Sequence, residues 1–254
     1  MIFEPPVALA SLSGRSDAAW ARAAADHVGV AFLGGIAVDE PTKVAARTMV
    51  DRERNEFLPD DPISFVDDQL ATLADVPLTP GFNVRAVDAD ALREVSSTCV
   101  SHDAIIEVNA HCRQAEMCEA GAGQSLLRDG DRLCEQVAAA GETGARVSVK
   151  VRTEVPGVDL PSLAADLDAA GADLVHVDAM DSEGVVADVV DATSCAVIAN
   201  NEVRDHDSVV EYLEYGADAV SVGRASDDPR VLSRVRRAAE AWYDAAHPAA
   251  GAEP

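Results

Sequence analysis

A chain of 254 residues with 45 acidic and 20 basic side chains, net charge −25, suits one large domain or two small ones and argues against a nucleic-acid binder in ordinary salt. A hydrophobic content of 48%, with acids spread along the whole length, argues against an unfolded acidic chain. Five cysteines at irregular spacings form no disulfide framework and fit a reducing cytoplasm.

Lysine occurs only at Lys43 and Lys150, and every other basic residue is arginine. Such a surface repels itself unless molar salt cuts the Debye length to ~3 Å, so the composition reads as halophilic, an adaptation to a salt-rich cytoplasm. Met1 is followed by Ile-Phe-Glu-Pro-Pro, without a basic leader. The longest apolar run, "GVAFLGGIAV", is about half of what spans a bilayer. A cytoplasmic protein without a membrane segment is expected.

Short apolar runs alternate with Ala-rich amphipathic segments. "VALAS" (7–11) leads into a helix over 16–27, capped by Ser16 or Asp17. "GVAFLGG" (29–35) is followed by a polar excursion, 38–61, that reads as a long loop or lid, and then a helix over 61–74. "GFNVRAV" (81–87) precedes a helix over 88–98, and "AIIEVNA" (104–110) precedes one over 123–139. "ARVSVKVR" (145–152) is followed by a helix over 159–171. "ADLVHVDAM" (172–180), "CAVIANN" (195–201) and "ADAVSVG" (217–223) complete eight strand candidates. Strand–helix alternation implies a parallel sheet with right-handed crossovers. Eight units in about 250 residues is the arithmetic of a single (β/α)8 TIM barrel, expected over 1–245 with a flexible tail at 246–254 and little or no extra C-terminal domain. A doubly wound open sheet is the rival architecture.

Ligands of such barrels bind at the C-terminal ends of the strands. Those ends carry Ser11, Asn83 or Arg85, Asn109 to Cys112, Lys150 to Arg152, His176, Asn200 and Asn201, and Gly223 and Arg224. Lys150 stands out: where nearly all lysine has given way to arginine, a retained one suggests that its compact ammonium is needed.

These strand ends carry a resemblance. "EVNAHC", followed nine residues after the Cys by "GAGQSLL", resembles the dihydrouridine synthase pattern of Asn-x-x-Cys, spacer, Gly-x-Gly. "VSVKVR" is similar to that family's Lys-x-Arg strand, "VHV" to its Val-His strand end, and "VIANNEVRDHDSVVEYLEYGADAVSVGRASDDP" to its closing segment. The likeness runs in order over roughly residues 7 to 235.

The resemblance implies an FMN-dependent oxidoreductase of the superfamily that includes dihydroorotate dehydrogenase-like enzymes. Gly223 and Arg224, with Asn200, would hold the FMN phosphate. Lys150 would lie against the flavin edge and stabilise its anionic reduced form. Asn83 would take the place of a flavin-contacting Gln, Ser11 would lie on the ring's other side, and His176 would contact flavin or substrate. Asn109 and Arg152 would meet the substrate. Cys112 would be the general acid, delivering a proton beside the carbon that takes the hydride, since a thiol of ordinary pKa, about 8.5, is protonated at neutral pH. Cys118 is its rival, while Cys99, Cys134 and Cys195 read as buried small hydrophobes. No metal site is expected: His111, Cys112 and Cys118 lack a Cys-x-x-Cys pair and a fourth ligand.

The chain departs from the family at several points. His111 and Arg113 flank the Cys where the family has Gly and Pro. Glu116 lies in a spacer that is basic in the family, Val177-Asp178 follows His176 where Gly-Arg is usual, and Asn201 follows Asn200 in place of Gly. The family's tRNA-gripping helical domain has no counterpart. The flavin site is better kept than the RNA site, so the expected substrate is a uracil-like ring either in tRNA or in a free pyrimidine. The electron donor would be reduced nicotinamide or another reductant. A non-redox barrel that binds a phosphate ligand is the alternative of another class.

Overall fold

The structure, a computed structural model, describes residues 2–246. In chain order the elements are β1 (Val7–Leu9), α1 (Ala18–Ala24), β2 (Val30–Ala37), α2 (Glu40–Asp51), α3 (Pro62–Thr72), β3 (Thr79–Arg85), α4 (Ala89–Ser101), β4 (Ile105–Asn109), α5 (Ala115–Glu119) and α6 (Gly130–Gly141). Then follow β5 (Arg146–Arg152), α7 (Leu160–Ala169), β6 (Leu174–Asp178), α8 (Val185–Ala192), β7 (Ala196–Asn200), α9 (His206–Glu214), β8 (Ala219–Val222) and α10 (Pro229–Ala246). The strands are all parallel and pair in sequence order, and β8 closes onto β1 through Val7–Val220 and Leu9–Val222. This is the expected (β/α)8 barrel, and the closure excludes the open sheet.

Part of the acidity serves helix starts. Asp17, Asp39, Asp61, Asp88, Asp159 and Asp205 each accept a first-turn amide of the helix that follows, where a carboxylate also meets the positive end of the helix dipole.

Two stretches differ from the sequence reading. The excursion 38–61 contains helix α2, capped by Asp39 and carrying Pro41 in its first turn, with Thr42, Ala45, Ala46 and Met49 buried at helical spacing. The helix expected over 123–139 begins instead as a 3-10 turn, Gly123–Arg128, and α6 starts at Gly130. The expected tail lies outside the described residues except for Ala246, the last residue of α10.

Each strand alternates two faces. Val147, Val149 and Val151 of β5, Val175 and Val177 of β6, and Ile106 and Val108 of β4 join the large apolar cluster that includes the surrounding helices. The other face lines the barrel. Its N-terminal end is filled by Ala8, Val30, Phe32, Ile105, Leu174, Ile198 and Ala219. Above them the interior turns polar, with Asn83, Glu107, Ser148, His176 and Ser221 all at 0% exposure. Barrel interiors are ordinarily packed with bulky aliphatic side chains, so this buried polar half must satisfy its own hydrogen bonds.

Candidate active site

The polar interior forms one continuous network. His176 on β6 reaches Glu107 on β4 (Nδ1 to Oε2, 2.7 Å) and Ser221 on β8 (Nε2 to Oγ, 2.7 Å), contacts between non-adjacent strands that only the barrel interior permits. Lys150 Nζ lies 2.8 Å from His176 Nε2 and donates to Asn200 Oδ1 at 3.3 Å. Glu107 also accepts from Asn83 Nδ2 (2.7 Å) and Ser148 Oγ (3.2 Å). Asn83 Oδ1 accepts from Asn109 Nδ2 at 2.8 Å. Asn109 Oδ1 in turn accepts the backbone amides of His111 (3.2 Å) and Cys112 (2.9 Å).

The charges follow from these contacts. Burial would push the Glu107 carboxyl up, but His176, Lys150 and Asn83 outweigh it and hold it below its ordinary value. Burial, with Lys150 beside it, pulls the His176 imidazole down to about 4. Neutral His176 therefore keeps its proton on Nδ1, facing the carboxylate, and offers Nε2 to Lys150. Burial draws the Lys150 ammonium down to about 8, with Glu107 and Asp178 opposing that fall.

A cavity of about 560 Å³ opens at the C-terminal ends of the strands, within the range of sites for small ligands and cofactors. Ser11, Lys150, Asn200, Gly223 and Arg224 line it, together with His111 and Asp178. The structure thus brings five of the expected cofactor residues to one cavity. The amides of Gly223, Arg224 and Ala225 have no partner among the described residues, and a Cβ placed on Gly223 would meet open space. Free amides beside an arginine make an anion site of the kind that binds phosphate. Arg224 is paired only loosely, at 3.5 Å, with Glu202, which also holds Arg204.

Other expected site residues lie behind the cavity wall. His176 and Asn83 are wholly buried and act on Lys150 and Asn109 instead of facing the cavity. Arg152 is turned to Gln124 Oε1 (3.3 Å) and the Thr153 carbonyl. Arg85 is buried in an ion pair with Glu56 (2.6 Å) and donates to Ser13 Oγ, tying the segment after α2 to β3.

The Cys112 loop explains the Gly-Ala-Gly motif. The Cys112 carbonyl accepts the Gln124 amide at 2.8 Å. Gly123 has φ +60, and a Cβ there would strike that carbonyl, so the second glycine is required. The Cys112 side chain, in a residue 8% exposed, packs with Ala45, Met49, Met117 and Ala122. His111 instead stands at the cavity, its Nε2 3.0 Å from Asp178 Oδ2, and its buried Nδ1 has no hydrogen-bond partner among the described residues. Burial pushes the Asp178 carboxyl up, but the His111 hydrogen bond and charge, Lys150 and the Met180 amide together outweigh it and hold it down at about 2.

Asn201 follows Asn200 with φ +127 and Glu202 has φ +50. This is the left-handed region that favours glycine, and it falls where the sequence carries Asn in place of Gly. Asn201 Nδ2 donates to the Met180 carbonyl, and its own carbonyl accepts Tyr212 OH at 3.1 Å. Strain of this kind gathers at functional loops.

Sequence reasoning missed Glu107 and Asp178. Both sit in strands where Val alternates with polar residues, and that period of two was the signal: the partners of Val in "IIEVN" and "LVHVD" face the barrel interior.

The fold and site together define a closed parallel barrel whose C-terminal mouth gathers Lys150, Asn200, Gly223 and Arg224 around one cavity. The dihydrouridine synthase family model matches residues 84–252, and the chain belongs to that family. It is 29% identical over 231 residues to an uncharacterised protein of Methanocaldococcus jannaschii, covering 86% of this chain and 88% of that protein. It is 27% identical over 158 residues to tRNA-dihydrouridine synthase B of Xanthomonas axonopodis pv. citri, covering 56% of this chain and only 47% of that enzyme. The fold is also similar to morphinone reductase, solved in complex with tetrahydroNAD (TM-score 0.66, 13% identity, 93% of this chain and 88% of that one). Among the described residues no helix is long and apolar enough to cross a membrane.

Proposed function

We propose that the protein is an FMN-dependent oxidoreductase that reduces a C=C bond of a uracil ring, most closely a dihydrouridine synthase acting on tRNA. The observation that carries this is the single wall on which Lys150, Asn200 and the free amides from Gly223 to Ala225 meet. Gly223, Arg224 and Asn200 hold the phosphate, Ser11 lies across the cavity, and Lys150 presents its ammonium to the flavin. FMN supplies a hydride when bound, drawn from reduced nicotinamide or another reductant. The chain supplies the proton.

Cys112 is the proton donor on this reading, on a loop set by Asn109 and Gly123. A second reading of the donor is His111, favoured by its place at the cavity and by the Asp178 carboxylate that holds its Nε2. A free pyrimidine is the second substrate, favoured by Glu116 in the spacer after Cys112, an acid where a basic, RNA-facing residue is expected.

The test is a visible spectrum of the protein in high salt after incubation with FMN. Flavin bands, with FMN released on denaturation, support the reading; a colourless protein defeats it and favours a non-redox phosphate binder. Turnover of unmodified tRNA against free uracil and orotate then separates the substrates.

A further inference from the structure

Glu107 does not line the cavity. It lies at 0% exposure in the barrel centre, and both of its oxygens are taken, Oε1 by Asn83 and Oε2 by His176 and Ser148. An ionised carboxylate this deep must answer a positive charge. Among the described residues Glu107 makes no direct ion pair with lysine or arginine. Its imidazole neighbour, His176, is neutral and passes the interaction on: Nδ1–H faces the carboxylate and Nε2 faces the Lys150 ammonium, 2.7 and 2.8 Å away.

The spacer has a chemical consequence. An ammonium has three N–H donors. His176 takes one and Asn200 Oδ1 takes a second. The third is left for a ligand in the cavity that Lys150 lines. A carboxylate in direct contact would occupy a donor and cancel the charge locally. Glu107 supplies the opposing charge without standing between Lys150 and the ligand. The other charged or titratable groups that act on Lys150 or His176 are Asp178 on β6 and His111 in the loop after β4.

We propose that Glu107 is a positioning residue of this site, the buried counter-charge that acts across His176 to keep Lys150 an ammonium at the cavity wall. The inference rests on the reading of Lys150 as the residue beside the flavin, but its electrostatics belong to the chain alone.

The test uses the protein without FMN. With lysine labelled at 13Cε, the chain's two lysines, Lys43 and Lys150, give two signals, and Lys43→Arg assigns them. Lys150 is expected to titrate near 8. Glu107→Gln is expected to weaken its proton affinity about tenfold, the scale of one unit charge at short range in a partly shielded interior, and Glu107→Asp to weaken it less. The reciprocal measurement is His176 in Lys150→Met: loss of the ammonium strengthens imidazole proton binding about tenfold or more, read from the histidine ring signals.

An unmoved Lys150 midpoint in Glu107→Gln overturns the proposal, as does an unmoved His176 midpoint in Lys150→Met. If Glu107→Gln does not fold, Glu107→Asp carries the test, and a Lys150 midpoint that does not move in it overturns the proposal. FMN binding is scored separately by absorbance. Both midpoints shifting in a protein that takes no flavin would sink the flavin reading and leave the coupling standing.

Discussion

His111 and Cys112 hang from one acceptor, Asn109 Oδ1, through their backbone amides at 3.2 and 2.9 Å, yet their side chains lie in different surroundings. His111 meets Asp178 at the cavity, and Cys112 packs among Ala45, Met49 and Met117. The two substitutions therefore separate the proton donor cleanly. Cys112→Ala is expected to keep flavin absorbance and to lower turnover ~10²–10⁴-fold, the usual worth of a general acid. His111→Asn is expected to cost less than about tenfold on the same scale. The reverse ranking in single-turnover assays assigns the proton to His111.

Acid sensitivity follows from His176. Its imidazole is neutral in the folded protein down to about 4, whereas in the unfolded chain it takes a proton near 6.5. Between those values the unfolded state binds more protons, so stability is present above about pH 6.5 and is lost as pH falls towards 4. The slope from one such group is at most ~1.4 kcal/mol per pH unit. Urea unfolding across this window is expected to give a shallower slope for His176→Asn than for the parent protein. Equal slopes would move the effect to other groups.

The pair Arg85–Glu56 has side chains only 3% and 1% exposed, so removing one partner strands a buried charge. Glu56→Ala is expected to destabilise by ~3–5 kcal/mol. The exposed pair Arg22–Asp75 is expected to contribute little, because water screens it. Salt separates the two classes further. Raising KCl to molar levels is expected to raise the melting temperature of the whole −25 chain by screening its self-repulsion, without restoring the Glu56→Ala loss. A melting temperature that falls with salt contradicts the halophilic reading.

Asn201 offers a test of backbone strain. Asn201→Ala loses the bond to the Met180 carbonyl and keeps φ +127, whereas Asn201→Gly loses the same bond and relaxes the backbone. Glycine is expected to be the more stable variant by ~1–3 kcal/mol, or several degrees in a thermal melt. Equal melting temperatures would deny the strain.

The sequence made the strands legible because their Val-rich alternation persists through β4, β5 and β6, and it made the cavity wall legible because Lys150, Asn200 and Gly223 sit at strand ends. It hid α2, whose burial pattern of Thr42, Ala45, Ala46 and Met49 is diluted by a charged outer face. It hid the roles of Glu107 and His176 for a different reason. The pairings of Glu107 with His176 and of His176 with Ser221 join strands that are not adjacent, and they depend on how the barrel closes. It also placed Cys112 by motif, and a motif carries no information about which side of a loop its side chain packs on.

The polar barrel centre also limits how this protein can change. A barrel filled with aliphatic side chains can exchange them one at a time, each swap being judged by volume alone. Here Asn83, Glu107, Asn109, Lys150 and His176 are one another's partners, so a single replacement orphans a neighbour. Drift at these positions must therefore come in sets. Across related sequences they will vary as a block, and a chimera that takes β4 from one relative and β6 from another inherits two halves of a circuit that do not match.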